Sequence, residues 1–400
     1  MAENFLHGVE VIEIDDGPRT IRTVRSSVIG IIGTAPDADA TAFPINKPVL
    51  IAGNRTEAAK LDTVGNAAGT LPNALDAIFD QIGAVVIVIR VEEGADIAAT
   101  ITNVIGGVDA NTGEYEGVQA LLGCKSALGY TPRVLLAPGF THQQDEDEEN
   151  PGTFLKNPVV AELEGIANRM RAIVLVDGPN TNDADAIAME NDLGARCYLV
   201  DPWVKVYRDG VYVNEPPSAR VAGMIAKIDN DKGFWWSPSN QEIMGISGTG
   251  RPVDFALGDA NCRANLLNEK NVATIINEDG FRLWGNCLCG SDPKWAFLNV
   301  RRTADMINES LLQAHLWAVD RNITKTYFED VVEGVNNYLR NLKNKGAILG
   351  GTCWADPELN TTDQLAAGKV YFDFDFTAPA PAEHVTFRSR MVDDYFEEVF

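Results

Sequence analysis

Six short apolar, β-branched runs, separated by stretches with helical character, restrict the fold of this chain more than any other feature. The runs are Val28–Gly33, Pro48–Ala52, Val85–Val91, Arg133–Ala137, Ala172–Asp177 and Arg196–Asp201. Several are continuously apolar rather than alternating, as strands buried on both faces of a largely parallel sheet must be. Between them, Thr56–Leu61, Leu71–Ile82, Val118–Gly129, Val159–Met170 and Asp183–Leu193 read as helices. Pro72 near the start and Gly83 after the end of the second are the residues that begin and stop a helix. Strand and helix in alternation predict an α/β layer domain over residues 28–250.

From about residue 251 to 368 the pattern is mixed. Ala260–Asn268, Thr303–Val319 and Phe328–Leu342 read as helices, the last closed by Lys343, Lys345 and Gly346. The ends of the chain differ again. Residues Val9–Ile14 and Thr20–Arg25 read as strands joined by the turn Asp15–Pro18. Near the other end Val370–Phe376 alternates strictly, with Phe372, Phe374 and Phe376 on one face and Asp373 and Asp375 on the other. A proline-rich turn, Thr377–Ala382, leads to a further strand over His384–Met391, in which Val385 and Phe387 share a face. A two-stranded unit is marginal alone. These strands therefore need partners, either each other within one chain or the sheet edges of other chains.

Four hundred residues exceed one ordinary core, so two domains are expected. The formal charge of −24 repels phosphate backbones and anionic lipid, which argues against nucleic-acid and membrane partners. The start lacks a signal peptide, and the apolar run ending at Arg90 is too short to span a bilayer. The six cysteines are scattered without a CxxC pair, which fits small buried apolar residues better than a disulfide framework or metal site. Cys287-Leu-Cys289 would place both thiols on one face of a strand. The acidic run Asp145–Glu149 reads as a solvated loop.

Motifs that would carry chemistry are weak. Gly30-Ile-Ile-Gly33 runs into Pro36 rather than a helix, so it is not a phosphate loop. Ser247–Pro252 is glycine-rich and reads as a linker; Asp177-Gly-Pro-Asn180 after a strand resembles an acidic loop seen in many α/β folds and equally suits an ordinary turn. The four histidines have no nucleophile elbow beside them. Phe234-Trp235-Trp236 reads as a buried cluster in acidic surroundings. No catalytic group, cofactor or metal site is expected.

One set of residues in the second region is more specific: Leu266–Asn268, Asn271-Val272, Leu283–Asn286, Asp292-Pro293 and Phe297–Arg302. Together with Ala378-Pro379 and Pro381–Glu383 near the end, and Ser26–Gly30 near the start, it resembles the contractile tail sheath proteins of myoviruses and R-type pyocins. After Trp284-Gly285 the family pattern continues with a small residue and Arg-Thr, whereas here it is Asn286-Cys287-Leu288-Cys289.

The resemblance implies an inserted α/β outer domain on a mixed α+β inner domain built from both chain ends, with extended terminal β arms. The corresponding division is a 1–27 arm, a 28–250 outer domain, a 251–368 inner domain, and a 369–400 C-terminal strand pair and arm. It also implies a structural subunit, not an enzyme. Such a subunit polymerises with copies of itself around a tail tube, meets baseplate and tail terminator proteins, and contracts to drive the tube through an envelope. It would be assembled in the host cytoplasm and carried in a virion or tailocin. Inter-subunit strand pairing is then expected at Val9, Val11, Ile12, Ile14, Ile21, Thr23, Phe372, Phe374, Phe376, Val385, Phe387 and Met391. Tube contact is expected at the basic residues Arg301, Arg302, Arg340, Lys343 and Lys345, with Arg301 and Arg302 alternatively read as internal ion-pair partners holding the fold. The competing reading is a soluble α/β nucleotide-binding enzyme whose oligomers exchange strands.

Overall fold

The computed structural model describes residues 21–146, 149, 154–208, 210–290 and 292–395. The strands expected over Val9–Ile14 and the turn Asp15–Pro18 lie outside the described residues, as does part of the acidic run 145–149. The chain divides into two compact units, one of residues 27–301 and 380–400 and one of residues 1–26 and 302–379. The division differs from the boundary expected at 250, for a reason visible in the larger unit.

That unit is built on a six-stranded sheet made from the six runs read in the sequence. Its strands are β1 (Ile29–Thr34), β2 (Pro48–Ala52), β3 (Val85–Val91), β4 (Val134–Leu136), β5 (Ile173–Asp177) and β6 (Cys197–Val200), in the order β2-β3-β1-β4-β5-β6. All neighbours are parallel except β2, which pairs antiparallel with β3 at one edge. Register sets Ile31 beside Val88 and Leu136. Helices cover both faces: α1 (Leu71–Phe79), α2 (Ile97–Ile105), α3 (Pro158–Met170), α4 (Asp183–Asn191) and α5 (Ser218–Asp231). Ile29, Ile31, Val86 and Leu136 pack with Leu75 of α1 and Ile225 of α5, while Ile32, Ile87, Leu135 and Val174 pack with Val160 and Leu163 of α3. Burial on both faces is what makes these strands continuously apolar.

The glycines of β1 are packing glycines. A Cβ on Gly30 would lie 2.9 Å from both Leu121 and Pro132, and one on Gly33 would strike the Thr70 hydroxyl. Close approach of backbone and side chain, not a phosphate, requires them.

The stretch expected to be a linker is instead clamped. Three strands follow the large sheet: β7 (Val204–Arg208), β8 (Val211–Glu215) and β9 (Gly248–Thr249), and β9 pairs antiparallel with β7. Arg251 is nearly buried between Asp183 and Asp201, and Arg263 at the start of α6 (Arg263–Glu269) donates to Asp183 at 2.8 Å. Beyond it, β10 (Thr274–Asn277) and β11 (Phe281–Trp284) form a hairpin whose Ile275 and Leu283 join the same core as Ile31. Residues 251–301 therefore belong with the sheet: their apolar side chains complete its core.

In the smaller unit, α7 (Leu298–Ala314), inside whose span the division falls, is followed by α8 (Lys325–Asn344). Then come β12 (Gly350–Ala355) and β13 (Phe372–Thr377), a two-stranded antiparallel sheet. Helix α8 buries Val331, Val335, Tyr338, Leu339 and Leu342. Their spacing makes the single apolar stripe an amphipathic helix needs.

The six cysteines are free, and all but Cys287 are buried. Contrary to the strand expected there, Cys287 and Cys289 lie beyond β11 in different surroundings. Cys289 is in the core under α3, whereas Cys287 is half-buried near Glu383. The aromatic triplet is only partly a buried cluster: Phe234 is buried against Trp235, but Trp236 is exposed with Lys232 over its ring.

Candidate assembly surface

Helix α8 and the β12–β13 sheet carry the strongest pattern of the second half of the sequence. In register, Phe374 lies opposite Cys353 and Asp375 opposite Thr352. The phenylalanine face turns to the start of α8, where Phe372 meets Phe328 at 5.5 Å and Tyr327 at 6.3 Å between ring centres. Phe374 and Phe376 stack on one another at 6.1 Å. The strict alternation over 370–376 therefore records a sheet with one face on a helix and the other in solvent.

The partner of β13 within the chain is β12, not residues 384–391. Residues 384–392 form neither helix nor strand within the chain. Two outer edges remain on a two-stranded sheet. That of β12 is taken at its middle by the Asn336 amide of α8, which accepts from Cys353 N–H at 2.8 Å and donates to Cys353 C=O at 2.9 Å. The outer edge of β13 carries no ladder among the described residues. Open backbone edges of this kind are templates for another strand.

The C-terminal segment is the second exposed feature. Asn286 Nδ2 donates to Glu383 Oε1 at 3.0 Å, and beyond that anchor the chain is exposed. Phe387 is 92% and Met391 94% exposed, with Val385 and Tyr395 also largely in solvent. Large apolar side chains in such number are unusual on an exposed segment.

At the other end, residues 21–27 form no ladder, contrary to the strand expected over Thr20–Arg25. Their polar groups are met by helices instead. The Thr23 hydroxyl lies 3.1 Å from the Tyr338 hydroxyl of α8, and Val24 N–H donates to Ser310 Oγ of α7 at 3.0 Å. Ile21 and Thr23 are half-buried.

The five basic residues separate into two kinds. Arg302 is only 3% exposed and donates to the carbonyl of Ser26 at 3.3 Å, so its guanidinium is a tie within the unit and not a docking group. Arg301 is half-buried over the Trp295 ring at 5.1 Å. Arg340, Lys343 and Lys345, on the last turns of α8 and its C-cap, are exposed.

At the C-terminal edge of the large sheet, where α/β proteins commonly bind ligands, the polar groups serve the fold. Asp177 is fully buried and accepts from the Ser218 backbone N–H and hydroxyl, both at 2.8 Å, and from the Thr141 hydroxyl at 3.2 Å. It thereby caps the start of α5. Burial pushes its pKa up to about 6 despite those donors. Asp201 beside it is held by Arg251. Among the described residues no group of three or more His, Cys, Asp or Glu is arranged to hold a metal, and no helix is long and apolar enough to cross a membrane.

Comparison with known proteins bears on the whole chain. Residues 290–391 match the model of the phage tail sheath C-terminal domain and residues 113–287 that of the phage tail sheath protein central domain. Residues 26–91 match the tail sheath protein Gp18 domain III N-terminal region. The chain is 44% identical to a putative prophage major tail sheath protein of Pseudomonas aeruginosa (strain UCBPP-PA14) over 99% of each chain. It is 35% identical to the tail sheath protein of Escherichia phage P2, over 98% of this chain and 97% of that one. In fold it is similar to the helical sheath of the anti-feeding prophage in its contracted state, with a TM-score of 0.71 and 20% identity over 97% of this chain and all of that one.

Proposed function

The chain belongs to the phage tail sheath protein family and is a structural subunit, not an enzyme; from that premise we propose that copies join by exchanging terminal strands, enclose a tail tube, and contract together. The observation that carries the strand-exchange reading is the presence in one chain of an exposed, apolar C-terminal segment and a two-stranded sheet with an open edge. Each feature alone is an aggregation hazard, and together they are a plug and its socket.

Contraction requires joints that hold while subunits rotate as rigid bodies. Backbone hydrogen bonds in an added strand suit this, each contributing about 0.5–1.5 kcal/mol net. The proline-rich spacer between β13 and Glu383 is a hinge of the kind that absorbs such rotation. The N-terminal residues Val9, Val11, Ile12 and Ile14 act as a second strand donor in the same scheme. The tube contact falls to Arg340, Lys343 and Lys345, the exposed members of the basic set. Baseplate and terminator proteins close the two ends of the polymer, which is assembled in the host cytoplasm and released in the particle. The competing reading, a nucleotide-binding enzyme, has no support left: the β1 glycines pack against side chains, and Asp177 and Asp201 are used by the fold.

The test is deletion of residues 384–400, leaving the Glu383 anchor in place. The truncated subunit is expected to fold and melt like the full chain, yet to form no tubes by electron microscopy or sedimentation. Normal sheaths from the truncated chain would show the segment to be a passive tail.

A further inference from the structure

Residues 384–391 and β13 share a charge pattern that strand addition alone does not require. In the segment, Val385, Phe387 and Met391 fall on one side, and Arg388 and Arg390 on the other. In β13, Phe372, Phe374 and Phe376 alternate with Asp373 and Asp375. Neither aspartate forms an ion pair among the described residues. Asp375 accepts from Thr352 N–H at 2.7 Å, and Asp373 shares a side-chain hydrogen bond with Asp356 that raises the Asp373 pKa. The two arginines stand in solvent. A protein with formal charge −24 thus keeps two arginines on its free segment and two aspartates on the strand at its open edge, both with a spacing of two residues.

We propose that Arg388 and Arg390 of one copy pair with Asp375 and Asp373 of another and so fix the register in which the C-terminal segment adds to β13. The inference rests on the strand-exchange reading above and names its recognition code. Antiparallel addition with Arg390 opposite Asp373 places Arg388 opposite Asp375, Phe387 opposite Phe376 and Met391 opposite Phe372. Parallel addition with Arg388 opposite Asp373 gives two arginine–aspartate pairs as well, with Phe387 opposite Phe372. In either sense a slip of one residue turns Phe387 to the solvent face and sets the arginines in line with the phenylalanines. A slip of two keeps the faces but breaks one charge pair. Directly opposed unlike charges favour a cross-strand pairing and like charges oppose it. In each sense the aspartates therefore select one register where the apolar faces alone allow several.

Two half-exchanged chains test this. One carries Arg388→Asp and Arg390→Asp, the other Asp373→Arg and Asp375→Arg; a third carries all four changes. Thermal midpoints are measured first, with Asp373→Asn and Asp375→Asn as a milder pair that retains an acceptor for Thr352 N–H. Each half-exchanged chain is expected to need about tenfold or more protein to form tubes. An equimolar mixture of the two should assemble as an alternating polymer, and the four-fold variant should assemble alone. The defect should shrink in 1 M salt, where the Debye length is about 3 Å. Assembly of either half-exchanged chain at the normal concentration overturns the proposal, as does a defect indifferent to salt. Rescue in the four-fold variant without rescue in the mixture also overturns it, since the pairing would then lie within one chain. These outcomes are separate from failure of strand exchange itself, which appears as normal tubes from the chain lacking residues 384–400.

Discussion

Phe387→Ser separates a docking residue from a folding residue with a single change. Phe387 is 92% exposed in the subunit, so its ring contributes little to the fold. Exposed substitutions away from packed features change stability by about 0.5 kcal/mol or less, which for a chain of this size moves the melting midpoint by about 2 °C at most. In the polymer the same ring is expected to be covered, and full burial of a phenylalanine is favourable by about 1.5–3 kcal/mol. Taking about 2 kcal/mol per joint, with 1.4 kcal/mol per factor of ten, the association constant should fall about 30-fold. Each subunit has one C-terminal segment, so the loss applies once per subunit added. The assay pairs a thermal melt of the unassembled chain with pelleting over a concentration series. Leu121→Ala, at a fully buried position, is the control that should do the reverse to the melt, costing about 2–5 kcal/mol. A Phe387→Ser chain that melts several degrees lower and pellets at the usual concentration would refute the reasoning, because the ring would then be packing inside its own subunit.

Two further outcomes are expected. Lys343→Glu with Lys345→Glu, both at exposed positions, should leave the melt unchanged and weaken cosedimentation of the sheath with its tube; undiminished cosedimentation removes these residues from the tube contact. Asp177, whose pKa burial raises from 3.8 to about 6, binds its proton more tightly in the folded chain. Its contribution to stability is thus fully present below about pH 4 and lost as pH rises through 6. The difference is at most about 3 kcal/mol at 1.36 kcal/mol per pKa unit. Asp177→Asn should flatten the pH dependence of the melt between 4 and 6, and an identical slope in the variant would show that the carboxyl does not titrate there.

Much of the large sheet is legible along the chain because burial on both faces writes itself locally. Val85–Val91 has no polar alternation until Arg90, and even that side chain is buried, its guanidinium donating to the carbonyls of Phe43 and Ala35. The α8 stripe is legible for the same reason, since its period matches the helix that buries it. Resolution failed where a residue's role depends on a distant partner. Ser247–Pro252 has linker composition, yet Arg251 is locked to Asp201 fifty positions away, and no local pattern reveals such a pair. Arg302 has the same local signature as an exposed arginine, and only the carbonyl of Ser26 marks it as internal. The missed capping role of Asn336 is of this kind also: an amide on a helix face gives no sign that it will occupy a strand edge.

The terminal segments show where the two sources of information part. That Phe372, Phe374 and Phe376 form one face of a strand follows from their spacing, because a period of two is a property of extended backbone alone. Residues 384–391 have a strand's alternation for the same reason. Which edges those strands meet was decided only in three dimensions. Hydrogen bonding between strands has no sequence period, so the pairing of β13 with β12, the closing of β12's far edge by Asn336 and the exposure of Phe387 emerged from packing. Among the described residues the outer edge of β13 carries no further strand, and that too is a property of packing and not of the local pattern.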